Sequence, residues 1–132
     1  MSYAIRNCTL TTGVDSVVGT SGSDTISADI TTLNAGDSIV GGAGVDTLNF
    51  TGTTNVALPV ANITGVEVFN IRQTTAALAS TDLSLYSGVT TVNLDRSNQA
   101  ATFTNLASGG SYGVIGNANV SNTGALAIGY AA

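Results

Sequence analysis

Residues 41–49 have the sequence Gly41-Gly42-Ala43-Gly44-Val45-Asp46-Thr47-Leu48-Asn49. This is a complete copy of the nine-residue pattern Gly-Gly-x-Gly-x-Asp-x-hydrophobic-x. The glycines permit a tight turn with positive φ angles, in which backbone carbonyls can point to a common centre. Asp46 supplies a hard anionic oxygen beside that turn, and Leu48 begins the buried side of a short strand. The stretch therefore predicts one turn and one strand of a repeating parallel β-solenoid.

The tripeptide Gly-x-acid recurs along the chain at a nearly constant interval. Copies begin at Gly13, Gly22, Gly44 and Gly65, and a copy without the acid begins at Gly88. The last four starting points are 22, 21 and 23 residues apart. One short strand per copy at this period is typical of a solenoid coil. We therefore predict an all-β fold, a right-handed parallel β-solenoid with about five to six coils of roughly 20–25 residues.

Apolar residues alternate with polar ones in the later copies. Leu48 and Phe50 flank Asn49, and the corresponding asparagines are Asn70 and Asn93. Because side chains alternate across a strand, the apolar residues face the core and the asparagines lie outside. Coils stacked about 4.8 Å apart would align the asparagines in an amide ladder along the stack. We expect this ladder to be structural.

Composition excludes several classes of protein. The chain has 132 residues, a net charge of −5, no lysine, no histidine and one cysteine. The negative charge argues against nucleic acid as a partner, and no apolar run approaches the roughly 18 residues of a membrane helix. A histidine-based zinc site, triad or proton shuttle is excluded. With three scattered arginines as the only cations, we predict no enzyme activity of the solenoid lyase type.

Four aspartates form two series with a common spacing. Asp15 and Asp37 are 22 residues apart, as are Asp24 and Asp46. Aspartates one coil apart would lie about 5 Å from each other, and their unneutralised carboxylates would repel. A Ca²⁺ ion between them would remove the repulsion and take further oxygens from the carbonyls of the glycine turns. The predicted calcium ligands are Asp15, Asp24, Asp37, Asp46, Gly22, Gly42 and Gly44.

A structural alternative exists for the same residues. Gly-x-Asp is also a common β-turn composition, in which the aspartate caps the turn through side-chain hydrogen bonds. The acid is lengthened at Glu67 and lost at Thr90, so we expect apolar stacking without metal beyond this point. The chain is predicted to be one solenoid domain spanning residues 1–132. Calcium turns are expected in residues 1–50, and coils without acidic turns in 51–132.

Residues 9–15, 19–26, 33–48 and 63–71 resemble the RTX (repeats-in-toxin) calcium β-roll. They are more similar still to the repeat modules of bacterial S-layer and large surface proteins exported by type I secretion. The resemblance implies an extracellular solenoid with calcium-dependent folding or assembly, and secretion without a cleaved N-terminal signal. Only one nonapeptide is complete, and the pattern stops in mid-coil. We therefore expect a module of a longer chain.

Two functional hypotheses follow from these patterns. The first is a structural, calcium-stabilised module of a secreted or cell-surface protein, whose coils stack within and between chains as a homo-oligomer or lattice. The alternative is a threonine-rich ice- or glycan-binding solenoid, an adhesin with a surface polysaccharide as partner. Threonine is abundant, but it falls at irregular offsets rather than as a Thr-x-Thr rank on one face.

Overall fold

The computed structural model describes residues 3–4, 6–116 and 123–132. Regular structure within these ranges consists of short strands and one 3-10 helix, η1 (Leu83–Leu85). In chain order the strands are β1 (Tyr3–Ala4), β2 (Asn7–Thr9), β3 (Ser16–Val18), β4 (Thr25–Asp29), β5 (Ser38–Val40), β6 (Thr47–Gly52), β7 (Asn62–Thr64), β8 (Val68–Gln73), β9 (Thr81–Asp82), β10 (Thr91–Asp95), β11 (Ala101–Leu106), β12 (Ser111–Ile115) and β13 (Leu126–Tyr130).

The described strands pair in parallel to form three sheets. One sheet has the order β1-β3-β5-β7, the second β12-β10-β8-β6-β4-β2, and the third β13-β11-β9. Because consecutive strands belong to different sheets while neighbours within a sheet are one coil apart, the chain winds as a β-solenoid of about five turns. This confirms the predicted all-β parallel solenoid. The right-handed sense of winding stays a prediction.

The register of the six-stranded sheet reproduces the sequence period. Thr47 pairs with Thr25 on one side and with Val68 on the other, and Val68 pairs with Thr91. The intervals are those between the starting glycines. The predicted amide ladder is also confirmed, because Asn70 Nδ2 donates to Asn49 Oδ1 at 3.0 Å and Asn93 Nδ2 donates to Asn70 Oδ1 at 2.9 Å.

Columns of apolar side chains fill the inside of the solenoid. Phe50, Phe69 and Phe103 are almost fully buried, and burial of each such side chain contributes about 1.5–3 kcal/mol. The Tyr86 ring contacts Phe69 edge-to-face at a centroid distance of 5.4 Å, and its hydroxyl donates to the Pro59 carbonyl at 2.9 Å. Burial raises the pKa of Tyr86 to about 12. These contacts anchor the irregular segment around Pro59 to the core.

The segment 82–85 forms a turn rather than a continuous strand. The sequence allows a helical turn or two within residues 74–87, or a strand at 82–85 with Leu83 and Leu85 inward. The structure ends β9 at Asp82 and forms η1 from Leu83 to Leu85. The Asp82 carboxylate accepts the Ser84 N–H at 2.9 Å and so caps η1. Leu83 is consequently buried, whereas Leu85 is 50 % exposed.

Candidate functional site

Acidic side chains form two columns at two corners of the coils. Asp15 and Asp37 immediately precede β3 and β5, whereas Asp24, Asp46 and Glu67 lie just before β4, β6 and β8. Asp24, Asp37 and Asp46 are at most 2 % exposed, and Asp15 is half-buried. The structure thus brings together each pair of aspartates that shares the 22-residue spacing. It keeps the two pairs at different corners.

Each column is joined from coil to coil by bonds between carboxylate and backbone. The N–H of Asp15 donates to Asp37 Oδ1 at 2.8 Å, and the N–H of Asp24 donates to Asp46 Oδ1 at 2.7 Å. The N–H of Asp46 donates in the same way to Glu67 Oε2 at 2.8 Å. Such charge-assisted hydrogen bonds are roughly twice as strong as neutral ones. The carboxylates are therefore neutralised in part by backbone donors of the preceding coil.

The second oxygen of three aspartates closes the turn in its own coil. Oδ2 of Asp15 accepts the N–H of Thr11 at 2.7 Å, and Oδ2 of Asp24 accepts the N–H of Thr20 at 2.6 Å. Asp37 Oδ2 similarly accepts the N–H of Asn34 at 2.7 Å. Several charge-assisted bonds per carboxylate explain how these aspartates tolerate burial. This is the turn-capping role of the structural alternative.

Asp46, in the complete nonapeptide, departs from this scheme. The residue one coil after Thr20 is Gly42, which has a φ of +110° and no hydroxyl group. Asp46 Oδ2 is buried and has no hydrogen-bond partner among the described residues. A Cβ atom added at Gly41 would lie 2.6 Å from this oxygen, so the backbone packs directly against it. The best-preserved repeat therefore leaves one carboxylate oxygen without a donor.

The three glycines predicted as calcium ligands adopt two kinds of conformation. Gly42 and Gly44 have the expected positive φ angles of +110° and +111°, whereas Gly22 does not belong to the positive-φ glycines. Its N–H donates to Thr20 Oγ1 at 3.1 Å in the turn that Asp24 closes. The turn at residues 41–46 thus differs in shape from the turn one coil earlier, because glycine replaces threonine at residue 42.

The donor set of these turns tests the calcium prediction. Ca²⁺ takes six to eight oxygen ligands, and among the described residues no three His, Cys, Asp or Glu side chains are grouped to hold a metal ion. Three of the four carboxylate oxygens of Asp24 and Asp46 already accept hydrogen bonds. Asp46 Oδ2 is therefore the one oxygen of this pair left without a hydrogen bond among the described residues, and the pair does not fit an ion bridging two otherwise unpartnered carboxylates.

Sequence reasoning missed the residues that donate to the carboxylates. Thr11 and Thr20 each precede their aspartate by four residues, and each donates both its N–H and its hydroxyl. The repeated pattern Thr-x-x-x-Asp, nine residues apart, was the signal available for them. Asp29 and Asp95, which fit no register, have local partners, namely Thr31 and Arg96.

Comparisons of the chain with protein-family models, with curated proteins and with solved structures found no match. The RTX resemblance and the calcium prediction therefore stay predictions. No helix in the described part of the chain has the length and apolar character required to cross a bilayer.

Proposed function

We propose that this chain is a structural module of a secreted or cell-surface protein, an S-layer-like solenoid without enzymatic activity that self-associates by stacking its coils. The observation that carries the proposal is the pair of edge strands β12 and β13 at one end of the described solenoid. Each of these strands pairs with only one other strand of the described chain. Val114 continues the core-facing column of Leu94, yet it is 51 % exposed, while Leu94 is fully buried.

The opposite end of the six-stranded sheet offers a matching surface. One core-facing column runs through the paired residues Cys8, Ile26, Leu48, Phe69, Val92 and Tyr112. Cys8 is half-buried on β2, the other edge strand of this sheet. Stacking β2 of one molecule on β12 of another would continue the column and pair both open edges. Such head-to-tail contacts repeat without closing and favour a filament or lattice.

A charged side chain introduced at the exposed end of the solenoid tests self-association. Val114→Lys is expected to weaken association about a hundredfold, because stacking would bury an unpaired ammonium group. Sedimentation velocity over a concentration series measures the effect. Val60→Lys is the matched control, since Val60 is 55 % exposed outside the strands, and it should associate as the wild type does. A wild-type chain that stays monomeric at the highest concentration would overturn the proposal.

We further propose a Ca²⁺ site at the nonapeptide turn, with Asp46 and the backbone of Gly42 and Gly44 as ligands. The support is the buried, unpartnered Asp46 Oδ2. A bound cation would supply the positive charge that this oxygen lacks, while Asp46 Oδ1 keeps its bond from the Asp24 N–H. The extracellular location that the resemblance implies would supply calcium at the millimolar level such sites require.

Calcium should therefore raise the melting temperature, with half-saturation at roughly 10⁻⁴–10⁻³ M. Asp46→Asn is expected to abolish this response, because an amide gives the cation no negative charge. Thermal melts followed by circular dichroism, in EDTA and in millimolar Ca²⁺, measure the response. Asp95→Asn, at an aspartate paired with Arg96, is the control and should keep it. A wild-type melt that is the same in EDTA and calcium contradicts the site.

A second candidate function is glycan binding, which one surface feature favours. Six of the nine residues that line a groove of about 510 Å³ beside β4 and β6 carry hydroxyl groups, while apolar atoms make up most of its exposed surface. The six are Thr9, Ser27, Thr31, Thr32, Thr51 and Thr53, and the carboxylate of Asp29 also lines the groove. The regular threonine rank of an ice-binding face is interrupted, because Val68 stands between Thr47 and Thr91 in the column along the sheet. Glycan binding is therefore better supported than ice binding as the alternative function.

A further inference from the structure

We propose that Arg72 is the centre of a binding site for the carboxylate group of an acidic, uronate-type polysaccharide. The site is a depression of about 280 Å³ on the outer face of the six-stranded sheet. Polar side chains that line it are Asn49, Thr51, Asn70, Arg72, Asp95 and Arg96. The proposal does not depend on self-association or calcium. It deepens the glycan-binding alternative by giving the ligand a position and a charge.

Arg72 is a cation without an ion-pair partner among the described residues of an acidic chain. The chain has three arginines and a net charge of −5, and two of the arginines line this depression. Arg96 is already paired, because its guanidinium bonds both oxygens of Asp95. Arg72 forms no ion pair within the described residues, and its Nε is buried without a hydrogen-bond partner. A ligand from solvent meets Arg72 at the terminal nitrogens of its guanidinium, since the residue is half-buried and Nε is the enclosed nitrogen.

A carboxylate is the acceptor that suits this environment. The guanidinium fork binds a planar carboxylate through two parallel hydrogen bonds. Asn49 is exposed and accepts from Asn70 through Oδ1, which leaves its own amide N–H groups available. Asp95 lies in the same depression and, with the net negative charge of the chain, disfavours a ligand with several charges at one point. A single negative charge per site is therefore preferred.

The adjoining threonine groove indicates that the carboxylate belongs to a sugar. Thr51 lines both the groove and the depression. In the sheet, Asp29 pairs with Thr51 and Thr51 pairs with Arg72, so the three lie in one row about 10 Å long across adjacent strands. Hydrogen bonds from Thr31 lower the pKa of Asp29, which keeps this carboxylate charged as an acceptor for sugar hydroxyls. A uronate unit with its carboxylate at Arg72, and with sugar hydroxyls directed toward Thr51 and Asp29, matches the row.

Short oligogalacturonates are the probe, titrated calorimetrically in EDTA so that calcium bound to the sugar plays no part. Wild-type protein is expected to bind them, and Arg72→Gln to bind about tenfold or more weakly, because a charged hydrogen-bonding partner is lost. Arg72→Lys should lie between the two, since lysine keeps the charge but not the fork. Arg6→Gln removes the same charge from an exposed residue away from the depression and should leave affinity unchanged.

Three outcomes would overturn the proposal: no binding of oligogalacturonates by the wild type, equal affinity of wild type and Arg72→Gln, or equal binding of neutral galacto-oligosaccharides. If polyglutamate binds as tightly as oligogalacturonate, the site recognises carboxylates without a sugar, and the proposed sugar ligand is wrong. Should Arg72→Gln fail to fold, the wild type alone decides the matter. In the NMR spectrum of the wild-type protein, oligogalacturonate must shift the Arg72 Nε–H resonance. A resonance that does not shift at saturating ligand refutes the site. These binding measurements are made on dilute, monomeric protein, so that their outcome does not depend on self-association.

Discussion

Gly41→Ala is expected to destabilise the solenoid by about 3 kcal/mol or more. A Cβ atom at residue 41 would lie 1.8 Å from the carbonyl oxygen of Gly65 and 2.6 Å from Asp46 Oδ2. The first of these is a backbone atom of the next coil, which can move only if the coils separate. Urea denaturation followed by circular dichroism measures the loss as a lower midpoint.

Gly13→Ala is the matched control for this substitution. The nearest atom to a Cβ at residue 13 is Thr11 Oγ1 at 3.6 Å, an ordinary contact. With space available and no positive φ to oppose it, alanine there should be neutral or slightly stabilising through the unfolded chain. A Gly41→Ala protein that unfolds at the wild-type midpoint would show that the coils do not approach this closely at their corners.

Close approach at this corner is what allows the carboxylate column to form. A Cβ at Gly19 would lie 1.7 Å from the Gly41 carbonyl oxygen, and the same contact recurs one coil later between Gly41 and Gly65. Backbones this near place the N–H of Asp24 within 2.7 Å of Asp46 Oδ1. The glycines of the pattern are therefore required for contact between coils, and not only for the shape of each turn.

The repeat could be predicted from the sequence because it depends on spacing alone. Apolar positions at period two and acids 22 residues apart determine which side chains share a column, and the asparagine ladder followed from the same arithmetic. Partners of the carboxylates did not follow, since spacing shows which acids come together but not which donors reach them. The Thr20 N–H and hydroxyl, four residues from Asp24, satisfy that carboxylate without a metal.

The sequence pattern also did not predict which side chains at the turns point into the core. Val45 and Val66 occupy the same position after their glycines, yet Val45 is 56 % exposed and Val66 is fully buried. The preceding glycines differ in conformation, with φ of +111° at Gly44 and +61° at Gly65. A turn that rotates its backbone in this way redirects the next side chain. Arg72 was missed for a different reason, because nothing in its local sequence indicates that its Nε lacks a partner.

Asp24→Ala is expected to cost about 3 kcal/mol of unfolding free energy, since it removes a buried carboxylate that accepts charge-assisted bonds from two groups of Thr20. Asp24→Asn should lose less unfolding free energy, because its amide oxygen still accepts one of these bonds. Asp95→Ala, at an ion pair on the surface, is the control and should change stability little. Urea denaturation of the three proteins measures the differences.

The loss of unfolding free energy in Asp24→Ala, compared with and without calcium, distinguishes two roles of the acidic column, hydrogen bonding in the turn and bridging of a metal ion. If the carboxylate acts through the N–H and hydroxyl of Thr20, the loss is the same in EDTA and in millimolar Ca²⁺. A bridging ion between Asp24 and Asp46 would instead make the loss larger in calcium, because the variant would also forfeit the binding free energy. We expect the equal loss at Asp24 together with a calcium response that depends on Asp46. Hydrogen bonds would then hold the column, with the cation confined to the one turn whose oxygen they leave free.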